Sequence, residues 1–264
     1  MTRFGFVLAA LLAVLMSATQ VTAATTVVVT PANPQGWDRA DTRTGGNVNF
    51  VADSTGQVGN GALQLTTDAT NDAKAQYVHG AETALADINE LSYYTKQNSA
   101  SFPEGAPSYQ LAVCLGGFDG TTCTGFTTLV FEPYQNGAVV PGTWQSWDVA
   151  AGQLWSSRSF TDSGACTVVS GAGGAPFYTL AELQAACPNA VVAGFGVNVG
   201  TFNPSYDVET DLVDFNGTIY DFELNNVATS KDDCKNGGYH NVTRADGSAF
   251  NNQGDCIQYF NTGK

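Results

Sequence analysis

Histidine is nearly absent from this sequence, and basic residues are scarce. His79 and His240 are its two imidazoles, and 10 Lys and Arg against 24 Asp and Glu leave a formal net charge of −14. A surface of that sign repels phosphate backbones, so nucleic acid is a poor partner. With two histidines and no C-x-x-C pair, a structural zinc site lacks its ligands. G-x-S-x-G is missing, and neither histidine sits in a nucleophile motif. Gly171, Gly173 and Gly174 run into Pro176 rather than into a helix, so no phosphate loop and no nucleotide cofactor is implied. Beyond the N-terminus no run is long or apolar enough to span a bilayer.

What is present begins with a leader. Arg3 precedes the apolar run Phe4 to Met16, and Val21-Thr22-Ala23 is a small-residue cleavage site, so residues 1–23 read as a signal peptide and the mature chain starts at Ala24. An uncleaved membrane anchor is the alternative, disfavoured because the run is shorter than the about 20 residues a spanning helix needs. Six cysteines agree with export, because disulfides persist in oxidising compartments. Proximity suggests three local bridges, Cys114 with Cys123, Cys166 with Cys187 and Cys234 with Cys256. The expected product is an extracellular, acidic monomer with one main domain at 24–228 and a tail at 229–264.

Along the chain, short β-branched and aromatic runs alternate with Gly, Asn, Asp and Pro clusters. Ten of them read as strands: TVVVT from Thr26, NVNFV from Asn47, ALQLT from Ala62, AKAQYV from Ala73, ELSYYTK from Glu90, YQLAVCL from Tyr109, FTTLVFE from Phe126, WQSWDV from Trp144, VVAGFGVNV from Val191 and TIYDFEL from Thr218. That spacing argues an all-β, two-sheet antiparallel sandwich. One internal helix is expected over LAELQAA, opened by a Thr179 to Glu182 capping box and stopped by Pro188. In VVAGFGVNV, strict alternation puts Val191, Ala193, Phe195, Val197 and Val199 in the core and Val192, Gly194, Gly196 and Asn198 on the other face, where glycine admits either the close approach of another backbone or ligand or, more simply, strand curvature.

Three of the four tryptophans fall in GTWQSWDVAAGQLWSS, from Gly142 to Ser157. Strand parity places Trp147 with Val149, a core pairing, and Trp144 with Ser146 and Asp148, the company of an exposed stacking ring. Trp155 follows an Ala-Ala-Gly turn beside Ser156, Ser157 and Arg158. Trp144, Asp148, Trp155 and Arg158 are therefore the candidate glycan-binding residues. Asp162-Ser163-Gly164 is a turn triplet, and Asn216-Gly217 is a hairpin turn although it also matches a glycosylation acceptor, as does Asn241-Val242-Thr243.

The succession GNGALQL, KAQY, DINELSYYT, GTWQSWDV, VVAGFGVNVG and VDFNGTIYDFEL resembles a group of secreted bacterial jelly-roll proteins, concanavalin-like and carbohydrate-binding-module-like, over Ala24 to Ala228. The resemblance implies a sandwich whose concave sheet or loop rim holds glycan. The segment KDDCKNGGYHNVTRADGSAFNNQGDCIQYF is similar to a short tail that follows unrelated domains in exported bacterial proteins, with Tyr239 where that tail carries tryptophan. It reads as two short helical pieces closed by Cys234 and Cys256.

The same fold class hosts glycoside hydrolases and lyases. Glu209, Asp211 and Asp214 in VETDLVDF approximate the E-x-D-x-x-E signature of laminarinase-type glucanases, with aspartate in place of the last glutamate. In a regular strand Asp214 points away from the other two, so the three share a face only if a bulge intervenes. Calcium is the cofactor the acidic groups would allow, either at Asp119 in GGFDGTTC or at Asp207, Glu209 and Asp211; turn chemistry and a solvated face are the alternatives. Three functions stay open: a non-catalytic module that binds glycan or a cell-surface partner, a glycan-cleaving enzyme, and a structural envelope or matrix protein.

Overall fold

The computed structural model describes residues 24–53, 59, 61–162, 166–224, 226–244 and 248–263. The leader over 1–23 lies outside the described residues, as do Ser163 and Gly164 of the turn triplet. In chain order the strands are β1 Thr25–Val29, β2 Trp37–Asp38, β3 Gly46–Ala52, β4 Gly61–Thr67, β5 Ala75–Ala84, β6 Leu91–Ser99, β7 Ser108–Cys114, β8 Phe126–Phe131 and β9 Gln145–Asp148. They continue as β10 Gln153–Ser156, β11 Phe160–Asp162, β12 Cys166–Val168, β13 Tyr178–Thr179, β14 Val191–Val199, β15 Asp207–Phe215, β16 Thr218–Phe222, β17 Asn226–Val227 and β18 Val242–Thr243. Helices are α1 Pro133–Asn136, α2 Leu180–Ala186 and α3 Gln253–Thr262.

These strands form a two-sheet, mainly antiparallel β sandwich of the jelly-roll type. The first sheet is centred on β15, which carries β6 and then β9 on one edge. On its other edge β4 pairs with the first half of β15 and carries β3, and β16 pairs with the second half and carries β1. The second sheet runs β13-β10-β8-β7-β14-β5-β2. All ten expected runs lie in strands of these two sheets. β15 was not among them, because its alternating carboxylates hide the apolar half of the pattern.

Inward-facing side chains of both sheets share one core, in which Tyr93, Tyr109, Phe131 and Phe222 are at most 1% exposed. Trp37 stacks on Tyr77 with ring centroids 5.4 Å apart and meets Phe195, Tyr220 and Phe222 edge-on. Helix α2 has the expected capping box, Thr179 accepting from the Glu182 amide and Glu182 reaching back to the Thr179 amide. The alternation expected for β14 holds from Phe195 onward but fails before it. A bulge between Val192 and Gly194 turns Val192 into the core and leaves Val191 and Ala193 half-buried outside it.

Disulfides join Cys114 to Cys123, Cys166 to Cys187 and Cys234 to Cys256, and no described cysteine is free. The last bridge closes a small cluster of Ala228, Cys234, Val242, Phe250 and Cys256, with β17 paired to β18. Asn33 Nδ2 donates to His240 Nδ1 at 2.9 Å, tying this tail to the loop after β1. Among the described residues no helix is long and apolar enough to cross a membrane.

Candidate functional site

The outward face of the second sheet forms a groove of about 1230 Å³. Strand register fixes its floor as three rows of side chains. The central row crosses six strands, Trp155, Val130, Gln110, Gly196, Val78 and Asp38, each in register with the next. At about 4.8 Å per strand that row is roughly 24 Å long. One neighbouring row, Thr128, Ala112, Gly194 and Gly80, is made of small residues and deepens the trough. The other is polar: Ser108, Asn198 and Gln76 are in register, and Glu132 extends it one position beyond β8.

Glycine has two different causes here. A Cβ on Gly196 would lie 2.3 Å from the Tyr77 carbonyl oxygen, so the close approach of β5 requires glycine there. A Cβ on Gly80 would meet nothing within 4 Å, because it would enter the open groove.

Glu132 stands apart among the polar groups. Asn198 Nδ2 donates to Gln76 Oε1 at 3.0 Å, and Gln110 Nε2 donates to Ser108 Oγ at 3.4 Å. The Glu132 carboxyl has no hydrogen-bond or ionic partner among the described residues, although the residue is the N-cap of α1. It is half-buried at the groove wall, and desolvation there pushes its pKa up to about 8. The other charged groups of the lining do not offset it. Arg43 and Lys74 both pair with Asp41, and the Asp38 carboxylate accepts the Ala40 amide.

The rim carries rings. Phe102, Phe126, Tyr134 and Phe202 are 42%, 41%, 37% and 76% exposed, and all four line this groove. Among the described residues no other aromatic side chain is as exposed. Phe202 is held at φ 64°, a left-handed conformation that a bulky residue adopts only when its surroundings impose it. Its amide donates to the Asn71 carbonyl at 2.8 Å.

The residues picked from sequence divide between the two sheets. Trp155 and Arg158 line the groove, Trp155 with a buried indole N–H that has no acceptor among the described residues, and Arg158 with its guanidinium 5.3 Å from the Phe126 ring centroid. Trp144 and Asp148 belong to the first sheet. Trp144 Nε1 donates to Asp53 Oδ2 at 3.0 Å with Lys96 Nζ 5.8 Å from its ring, and Asp148 Oδ1 accepts the Ala151 amide at 3.0 Å. The structure therefore does not bring the four together as one platform.

The bulge that the glucanase-like reading required exists, between Asp211 and Asp214, and it puts Glu209, Asp211 and Asp214 on the outer face of the first sheet. Each is engaged there. Asn98 donates to Glu209 Oε1 at 2.7 Å and Lys96 to Oε2 at 3.2 Å. Asp211 Oδ1 accepts the Leu212 and Phe222 amides at 2.8 and 2.9 Å, and Asp214 Oδ1 the Gly217 amide at 2.9 Å. Of the calcium candidates, Asp119 Oδ1 accepts the Thr121 and Thr122 amides, and Asp207 Oδ1 accepts the side-chain amides of Gln64 and Asn98. Among the described residues no three His, Cys, Asp or Glu side chains form a metal-holding group. His79 faces two carbonyl oxygens and packs on Phe195 and Tyr220, a structural arrangement.

Glu132 and the rim phenylalanines escaped the sequence reading, yet a signal for Glu132 exists. Once FTTLVFE is a strand with Leu129 and Phe131 inward, Thr128, Val130 and Glu132 must face the other way.

No protein-family model matches the sequence, and no curated protein matches it. In fold the chain is similar to a family 11 carbohydrate-binding module from Clostridium thermocellum, solved with a β-1,3-1,4-mixed-linked tetrasaccharide, at 12% identity over 70% of this chain and 91% of that one, with a TM-score of 0.39. It is similar to a putative sugar-binding protein from Bacteroides thetaiotaomicron at 15% identity over 75% of this chain and 95% of that one, with a TM-score of 0.34.

Proposed function

We propose that this protein is an extracellular, non-catalytic module that binds a glycan chain along the outer face of the second sheet. The observation that carries this reading is the coincidence of all four exposed aromatic side chains with one long groove floored by amides and hydroxyls. Sugar rings present apolar faces to aromatic side chains and hydroxyls to polar ones, which is the pairing this surface offers. Trp155 and Arg158 belong to the site; Trp144 and Asp148 do not. Three disulfides favour an oxidising, extracellular setting.

The non-catalytic part rests on the carboxylates. Glycoside hydrolysis uses a pair of free carboxyl groups flanking the bond. Of the described carboxylates that line the groove, Asp38 and Asp41 are engaged and Glu132 alone has no partner. Affinity electrophoresis in gels containing mixed-linked β-glucan, xylan or mannan tests the reading. Retardation by at least one polysaccharide is expected, with loss in Gly80→Trp, whose side chain would fill open space, at an unchanged melting temperature. Retardation unaffected by Gly80→Trp would place the ligand elsewhere, and release of reducing ends from any of these polysaccharides would replace the module with an enzyme.

A further inference from the structure

The groove floor offers few charges to a ligand. Ser108, Asn198, Gln76 and Gln110 are neutral groups able both to donate and to accept. The lysine and arginine at its Asp38 end are held by Asp41, and Arg158 lies out on the rim over Phe126. In this setting Glu132 ends the polar row with a carboxyl that touches no cation, caps no helix and meets no hydrogen-bond donor among the described residues. A half-buried carboxyl that no described protein group engages, at the end of a polar row in a groove, is placed to meet a ligand's hydroxyl.

We propose that the groove takes uncharged glycans and that the Glu132 carboxyl, unpartnered at the end of the polar row, grips a sugar hydroxyl directly. This rests on the glycan reading of the groove. Burial, with no charged neighbour contributing, raises Glu132 to about 8, so the acid form prevails at neutral pH. The titratable groups that feel its charge are phenols: Tyr134 on α1, Tyr93 on β6 and Tyr206 in the loop before β15. All three are themselves raised by burial and stay neutral where Glu132 ionises, so they do not titrate with it. The other titratable members of the lining, Asp38, Asp41, Arg43, Lys74, His79 and Arg158, do not set its pKa. Once ionised, Glu132 would accept but not donate, and it would have to keep its charge under a bound sugar with no counter-ion.

Binding should then follow the protonated fraction. Affinity for a neutral polysaccharide falls about tenfold between pH 7 and pH 9, in proportion to the loss of the competent form. Glu132→Gln, which keeps a donor and an acceptor without the charge, should bind equally at both values. The measurement is titration calorimetry of the full chain with mixed-linked β-glucan, xylan and polygalacturonate at pH 7 and 9, with melting curves at each pH to show that the fold persists. In parallel, the carbon-13 shift of the Glu132 side-chain carboxyl is followed in the free protein. A titration midpoint near 8, a tenfold loss for wild type and none for Glu132→Gln support the proposal. Equal wild-type affinity at both pH values, a midpoint in the ordinary glutamate range, or preference for polygalacturonate overturns it while leaving the groove reading intact as long as Gly80→Trp still abolishes binding. Absence of binding to any of the three at either pH overturns both.

Discussion

Trp147 and Trp144 lie three positions apart, and their surroundings assign them different work. Trp147 is 8% exposed, donates its indole N–H to Thr95 Oγ1 at 2.8 Å and packs against Phe131 with centroids 6.4 Å apart. Truncation to alanine should open a cavity and cost about 3–5 kcal/mol. Trp144 is half-buried and holds Asp53 by one hydrogen bond, and Asp53 keeps Lys96 as a partner without it. Its truncation should cost about 1–2 kcal/mol and leave polysaccharide retardation unchanged, since the ring lies on the sheet opposite the groove. Chemical denaturation of both variants checks the first pair of values. Unfolding of Trp144→Ala as severe as that of Trp147→Ala would show that both rings are core. Parity made Trp147 legible in the sequence as a core residue, because Val149 shares its face. Which sheet Trp144 would join was not legible, since parity orders neighbours along a strand and says nothing about the partner across the sandwich.

Strand β15 shows where element-level reading stopped. Its carboxylates were visible, but the switch of partner from β4 to β16 depends on pairing between segments far apart in sequence. Leu212 sits at that switch with φ 49°, and Asp211, fully buried, spans it by accepting the Leu212 and Phe222 amides. The side chain stands in for ladder bonds that the bulge interrupts. Asp211→Ala should therefore cost about 2–4 kcal/mol by stranding two amides, whereas Asp211→Asn, with an oxygen in the same place, should cost under about 1 kcal/mol. Equal losses in the two variants, measured by urea unfolding, would show that Asp211 does not act through that oxygen. In β14 the face of Phe195, Val197 and Val199 was readable from alternation and the bulge before it was not, because no residue type there demands one. At Gly196 the reason for glycine is the close approach of the β5 backbone, not the strand curvature expected from sequence. Gly196→Ala should cost about 1–3 kcal/mol from overpacking against the Tyr77 carbonyl, while Gly80→Ala leaves the melting temperature unchanged. The helix α2 was fully legible, because its capping box and stop are local signals.

At the scale of the whole molecule, composition announced the acidic surface, but not that some of the acid is buried. Burial raises Glu132 and Asp211 to about 8 and Asp221 to about 6, with the neighbouring carboxylates adding to the shifts of the two aspartates. Unfolded, such groups titrate near 4. Between about pH 4 and 8 the folded chain thus holds protons that the unfolded chain has lost, so stability falls as pH rises through this window and is fully present only below it. Repulsion among the remaining carboxylates of a chain with formal charge −14 acts in the same direction. An opposing set exists: hydrogen bonds lower Asp41, Asp68, Asp119, Glu182, Asp233 and Asp255, and their contribution is lost as pH falls below about 4. These lie at or near the surface, where solvent weakens such effects, so the buried acids dominate above pH 4. Tm should pass through a maximum at about pH 4–5 and decline toward pH 9, each 1 kcal/mol corresponding to about 2–4 °C. Asp211→Asn, which cannot ionise, should flatten the alkaline limb without moving the acid one. Melting curves from pH 3 to 9 decide it, and a Tm that climbs from pH 5 to pH 9 would mean that these acids are hydrated and titrate as ordinary surface carboxylates.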